Sequence, residues 1–402
     1  MLEVDDIQHF LISRPPTLAA RCEFLTFRRH SSGREWLKEL IEKVGTAKAI
    51  ESQNPGTRWI TIGFTWNGLR ALGVNEAALA TFPEEFRQGM AARAEILGAT
   101  GTNRPDNWAG GLASQDLHAI VILFASNIAE RERCRQEHRE YLLQQPDGVK
   151  VLSSLDLEAA PPFTYAHEHF GYRGSLSQPC IEGMGEEATA ESGPPIKLGE
   201  FFLGYPDEEG VPVGLPEPEV LSRNGSYVAY LRLEQHVGAF RDFLRQHGET
   251  SEQQEWVAAK LMGRWRSGAP LVVSPGKNDP EFGDGLRRRK IIRRGGIYGP
   301  PLPEDKSDDG IERGIAAFVG CASLVRQFEF AMNVWANDPN FHELASELDP
   351  IFGTRDGTFD MTIPERPIRE EVIGLRAFTT IRGGAYFFLP SIRALRYLSA
   401  PS

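Results

Sequence analysis

Apolar positions along the first 160 residues follow two alternating periods, and each change of period marks an element. Cys22–Phe27 (CEFLTF) is a compact run of strand formers. Arg34–Val44 then places Trp36, Leu37, Leu40, Ile41 and Val44 on one helical face and Lys38, Glu39, Glu42 and Lys43 on the other, the pattern of a helix laid on a sheet. Trp59–Phe64 (WITIGF) reads as a second strand and His118–Phe124 (HAIVILF) as a third, with a Gly-, Asn- and Pro-rich insertion around 100–111 between them. The charged stretch Asn127–Leu143 predicts a helix, and Val149–Leu155 a fourth strand. Strand, helix, strand, strand, helix, strand is the order of the ferredoxin-like split βαβ unit.

From about Pro161 the pattern breaks, and Pro, Gly and Glu gather between Gly171 and Pro218 in a long irregular region of the kind that carries function or mobility. Periodicity resumes with strand Tyr227–Leu233, helices Gln235–Leu244 and Ser251–Met262, strand Gly314–Cys321 and helix Ser323–Trp335. Phe378–Ile381 and Ala385–Leu389, flanking Gly383-Gly384, predict a closing hairpin. The two halves repeat one order of elements. The expected fold is therefore α+β, with two ferredoxin-like domains (1–160 and 161–402), antiparallel sheets packed together and the long loops near their contact.

Composition narrows the function classes. The 402 residues are 41% hydrophobic and 25% charged, which fits an ordinary globular chain. Lys plus Arg number 44 against 55 for Asp plus Glu, a net charge of −11, so no broad basic field exists to hold a nucleic acid or an anionic membrane. Cys22, Cys134, Cys180 and Cys321 lie far apart, which argues against a zinc ribbon, a redox dithiol or a disulfide framework. No run approaches a membrane span, and the acidic start MLEVDD does not read as a signal peptide; the expectation is a cytoplasmic protein.

Most catalytic motifs are missing: there is no G-x-S-x-G, Walker A, H-E-x-x-H or strand-borne G-x-G-x-x-G. The segment Tyr165–Gly183 (YAHEHFGYRGSLSQPCIEG) carries His167 and His169, which in an extended chain would share a face, with Glu168 between them. No third or fourth ligand accompanies the two imidazoles, so no metal site is predicted. A second cluster, Arg287, Arg288, Arg289, Lys290, Arg293 and Arg294, is dense enough to grip a carboxylate or phosphate, and Ile291-Ile292 within it suggests that at least one arginine turns inward. Asp356, within Gly353–Gly357 (GTRDG), reads as a turn.

At these segments the sequence closely resembles the dye-decolourising (DyP-type) peroxidase family, haem proteins of two ferredoxin-like domains in the dimeric α+β barrel class. The resemblance runs through VDDIQ near the start, Phe82–Gly98, HFGYRGSLSQPCIEG, Gly199–Gly210, Asn224–Gln235, GRWRSGAPLV at Gly263–Val272, Arg326–Phe341 and RGGAYFFLPS at Arg382–Ser391. It implies three haem-site residues. A distal Asp in a G-F-x-D-G loop moves a proton between peroxide oxygens, a distal Arg stabilises developing charge, and a proximal His ligates iron. In this chain the distal loop reads Gly171-Tyr172-Arg173-Gly174-Ser175, so Gly174 stands at the position of the Asp. The family's segment with its G-A-H-I-R-type ligand motif is replaced by the short connector 273–285 (VSPGKNDPEFGDG), and no histidine occurs between His247 and His342. Arg293 matches the distal arginine. His342 falls on a loop to which the family gives no ligand role.

The resemblance so read implies a degenerate member with no cofactor and without ordinary haem-dependent oxidation by hydrogen peroxide, its role being binding, scaffolding or altered chemistry in the vacated pocket. One alternative keeps haem b through rearranged ligation by His167 or His169. Another is a cofactor-free enzyme for a small aromatic or carboxylate substrate, with Arg293 as anchor and Glu168 beside the histidines as acid–base groups. A pocket lined by Arg293 and phenylalanines would favour a small aromatic or anionic ligand as the partner, whereas a filled interior would favour a scaffold. Self-association into a homo-oligomer is implied by the resemblance alone.

Overall fold

The computed structural model describes residues 3–12, 19–48, 58–145, 147–158, 167–172, 178–184, 194–267, 269, 271, 290–340, 347–354, 357–363 and 368–400. Ten strands lie among them: β1 (Ala19–Phe27), β2 (Arg58–Phe64), β3 (Ala119–Ala125), β4 (Val149–Glu158), β5 (Ser226–Gln235), β6 (Ile292–Tyr298), β7 (Gly314–Cys321), β8 (Phe359–Ile363), β9 (Glu370–Leu375) and β10 (Thr379–Leu389). Eight form one antiparallel sheet in the order β4-β1-β3-β2-β10-β5-β7-β6, and β8 and β9 pair separately. Counting strands within each half gives 4-1-3-2 twice, the ferredoxin-like order expected from the sequence.

The halves join by a single rung, Phe388 opposite Phe64. At the far ends β4 meets β6: a Cβ built on Gly296 would stand 3.1 Å from the Leu157 side chain. The sheet thus curls until its outer strands meet, and rings from both halves fill the inside. Phe24 packs on Tyr230 at 5.2 Å, Phe10 on Phe318 at 5.2 Å and Phe10 on Phe124 at 5.6 Å between ring centroids. Each such side chain contributes roughly 1.5–3 kcal/mol on burial, so this interior is a main source of stability.

Helices His30–Leu40 and Ile128–Leu143 cover the outside of the first four strands, as their amphipathic and charged patterns require. Asn127 caps the second by accepting the Glu130 amide proton. Helix Ser251–Met262 is opened by a capping box between Thr250 and Gln253 and closed by Gly263 in the left-handed region.

Two expectations are corrected. Gly383 and Gly384 do not turn a hairpin: β10 runs straight through them, pairing along β5 with a register shift between Ile381 and Gly383. The glycines are there because side chains crowd the strand, with Leu112 and Met90 occupying the space a Cβ would take. The predicted helix over 323–335 is present as two wide π-helical stretches, Leu324–Glu329 and Ala331–Ala336. The strand β6 inside the basic segment was not anticipated, because arginines and glycines hide its alternation.

Candidate functional site

A cavity of about 540 Å³ opens against the C-terminal four strands. All of its lining residues fall between 167 and 352, so it belongs to the second half rather than to the line where the halves meet. Its floor is the outward face of β5, β7 and β6, with Leu231, Leu233, Ile315, Ala317 and Val319. One wall is the π-helical pair, which supplies Phe328, Met332 and Trp335; widened helical turns of this kind recur at functional sites. Phe352, Asp349 and the loop 167–172 complete the rim.

That loop is organised by Glu168. Its carboxyl accepts the backbone N–H of Phe170 (2.8 Å) and Tyr172 (2.7 Å) and a short bond from the Gln235 side-chain amide at the end of β5. The turn is closed by Gly171 N–H to Glu168 O and by Glu168 N–H to Tyr172 O. Burial pushes the Glu168 pKa up, against the pull of these donors and of Arg266. Glu168 is therefore a brace for the loop as well as a member of the cavity wall.

The turn separates the two histidines that the sequence placed on one face. His167 is exposed and lines the cavity, whereas His169 is buried and donates Nε2–H to the Tyr298 carbonyl (2.9 Å) beside a separate small pocket. Burial lowers the His169 pKa to about 4, against the Tyr298 bond, so the ring is neutral at physiological pH. The same-face expectation assumed an extended backbone, which the Glu168 brace excludes.

Arg293 is exposed on β6 opposite Val319, on the cavity wall. Arg294, the next residue, sends its guanidinium to the Phe10 and Leu11 carbonyls (3.0 and 2.8 Å), so the inward-turning arginine foreseen in this segment is Arg294. Gln178 ties both together, its Oε1 accepting from Arg293 N–H and Arg294 Nη1, each at 3.1 Å. Asp349 accepts the amides of Ile351 (2.9 Å) and Phe352 (2.7 Å), and burial raises its pKa. Gly174, the connector 273–285, Arg287, Arg288, Arg289, His342 and Asp356 lie outside the described residues.

Sequence reading missed Tyr172, Gln178, Asp349, Trp335 and Phe352 as wall residues. Of these, Trp335 lies within the Arg326–Phe341 motif and Tyr172 and Gln178 flank the distal loop, whereas no sequence signal marks Asp349 or Phe352. Among the described residues no three His, Cys, Asp or Glu side chains come together as a metal site.

Residues 33–154 match the family model of the DyP dimeric alpha+beta barrel domain. A dye-decolorizing peroxidase of Mycena epipterygia is 27% identical, over 88% of this chain and 78% of its own length. A fungal DyP-type peroxidase structure from Auricularia auricula-judae superposes with a TM-score of 0.84 at 23% identity, both chains covered in full. A dye-decolorizing peroxidase solved in complex with 2,6-dimethoxyphenol gives 0.84 at 20% identity over the full length of both.

Proposed function

Since the chain belongs to the dye-decolourising peroxidase family, we propose that it is a member in which the cavity serves a small ligand instead of an ordinary haem peroxidase cycle. The observation that carries this is the donor set. Of the nine histidines, seven are engaged away from the cavity wall. His30, His118, His138, His169, His236 and His247 hydrogen-bond to Ala71, Phe27, Glu23, Tyr298, Thr380 and Phe243, and His9 packs against Trp59. Among the described residues His167 alone brings an imidazole to the wall, and it precedes the distal loop, the side on which the family does not ligate iron. With Gly174 at the carboxylate position and no histidine in 273–285, the residues present do not fit the family's haem arrangement.

The cavity that remains is lined mainly by apolar side chains, with His167, Glu168, Gln178, Arg264, Arg293, Arg294 and Asp349 among them. Phe328, Trp335 and Phe352 bring aromatic side chains to it, and Arg293 brings a positive charge to its wall. A relative's complex with 2,6-dimethoxyphenol supports a small aromatic as the occupant. Expression with a haem precursor supplied should yield protein without a Soret band and without peroxide-dependent dye oxidation. Stoichiometric haem together with turnover would end this reading.

His167 supports a second reading, haem held through rearranged ligation. In that case His167→Ala should abolish haem uptake and His169→Ala should leave it intact, because His169 faces away. Uptake unchanged in His167→Ala would dismiss it.

A further inference from the structure

The stretch Val4–Gln8 (VDDIQ) takes no part in lining the cavity and lies instead at the seam between the two halves. Antiparallel register continues the one rung, Phe64 with Phe388, to a next pair of Ile62 with Pro390. Proline has no N–H to give, so the ladder stops there. The Gln8 side chain takes the missing place. Its Oε1 accepts the Ile62 N–H (3.0 Å), and its Nε2 donates to the Ile62 carbonyl (2.8 Å) and to the Pro390 carbonyl (2.9 Å). At 3% exposure the carboxamide behaves as a peptide unit inserted between β2 and β10. Its orientation is fixed, because turning the amide would set its oxygen against two carbonyls.

The neighbours of Gln8 divide their bonds between the halves. Toward the first half, the Ile7 carbonyl accepts the Ala47 N–H (2.9 Å) and the His9 N–H reaches the Gly45 carbonyl (2.8 Å). Toward the second, the Asp6 carbonyl accepts the Ile392 N–H (2.9 Å), and the Asp6 carboxylate accepts from Asn224 Nδ2 (2.7 Å) and the Arg393 N–H (2.8 Å). The Phe10 ring lies between Phe124 of the first half and Phe318 of the second. The segment ends at the cavity: the Phe10 and Leu11 carbonyls receive the guanidinium of Arg294, a residue of the cavity wall.

We propose that residues 3–12 form a clasp in which the Gln8 carboxamide serves as the second rung between β2 and β10 and the Phe10 and Leu11 carbonyls hold Arg294, so that the seam and this part of the cavity wall open as one unit. The clasp goes beyond the ligand reading and stands whichever occupant the cavity takes. Gln8 and Arg294 are its positioning residues, one at each end.

The test follows amide hydrogen exchange, residue by residue, in the full-length protein under rising urea. Ala47, Ile62 and Ile392 give their N–H groups to Ile7, Gln8 and Asp6, so they report release of the clasp directly. Ile122, in the middle of β3, reports the ladders internal to the first half. In the wild type the three clasp amides should share one opening, of lower free energy than that of Ile122. Gln8→Leu should speed all three roughly tenfold or more and leave Ile122 unchanged. Arg294→Met should speed the same three, because coupling between two ends is reciprocal. Acceleration of Ile62 alone in Gln8→Leu would reduce Gln8 to a local hydrogen bond and overturn the clasp. Three separate openings in the wild type, a measurement that needs no variant to fold, would overturn it as well, and so would an Ile62 rate untouched by Arg294→Met. Equal acceleration of Ile122 would show general loosening and have the same consequence.

Discussion

Arg93 grips Glu329 with both arms of its guanidinium, Nε to Oε1 at 2.5 Å and Nη2 to Oε2 at 2.6 Å, across 236 positions of sequence. Tyr386 adds its hydroxyl to Oε1 at 2.8 Å. The pair stitches the insertion of the first half to the π-helical wall of the second, with Glu329 3% exposed and Arg93 13%. Removing one partner of such a buried pair leaves the other uncompensated and costs about 3–5 kcal/mol. Glu329→Ala should therefore lower the urea midpoint by that equivalent at an unchanged m-value. The double change Arg93→Met with Glu329→Leu should recover most of the loss. Additive losses in the double variant would show that the pair does not act as a unit.

Glu168 makes stability depend on pH with a defined sign. Its folded pKa is raised, by burial above all, so its favourable contribution is complete below the unfolded carboxylate value of about 4.3 and fades as pH climbs through the folded value. Glu168→Gln lacks this dependence. The stability of wild type relative to Glu168→Gln should fall as pH rises above about 4.3 and level off once the folded carboxyl has ionised, with a slope no steeper than about 1.4 kcal/mol per pH unit. Urea denaturation at each pH measures it, and a rising difference would contradict the assignment.

Glycines at close approaches should differ in cost according to what they meet. A Cβ on Gly68 would stand 1.7 Å from the His118 carbonyl oxygen, which is fixed by the strand start, whereas one on Gly384 would meet the Met90 sulfur at 2.2 Å. Methionine can swing away. Gly384→Ala should cost about 1–3 kcal/mol, and Gly68→Ala should cost more; thermal melts that reverse this order would show that the backbone at 118 yields.

Of the four thiols, Cys22, Cys180 and Cys321 are buried and Cys134 is half-buried. Burial raises the Cys134 pKa, with Arg58 opposing it. A thiol reagent should label one equivalent of native protein, slowly and faster as pH rises. Peptide mapping should place the label on Cys134, and rapid modification of a second cysteine would refute the packing of the core.

The fold was legible wherever one face of an element is buried. Ile60, Ile62, Ile120 and Ile122 announce β2 and β3, and Trp36, Leu37 and Leu40 announce the helix above them. Strand β6 was hidden because Arg293 and Arg294 serve opposite faces, and Gly295 and Gly296 carry no side chain to show a period. Arg293 could be read from its motif, and the structure places it on the cavity wall. The pairing of His167 with His169 failed because periodicity has no knowledge of the Glu168 brace. Tyr172 and Gln178 could not be singled out, since a place on a cavity wall is a property of surroundings and not of residue type.

The single rung between Phe64 and Phe388 puts a crease across the middle of the protein. On either side of it the ladders of β2 with β3 and of β10 with β5 run the length of their strands, so each half makes its backbone pairing within itself. The domain-family match covers residues 33–154 and ends inside the fourth strand of the first side, while the cavity is lined wholly by residues of the second. A change on the cavity side therefore leaves the backbone ladders of the other side intact.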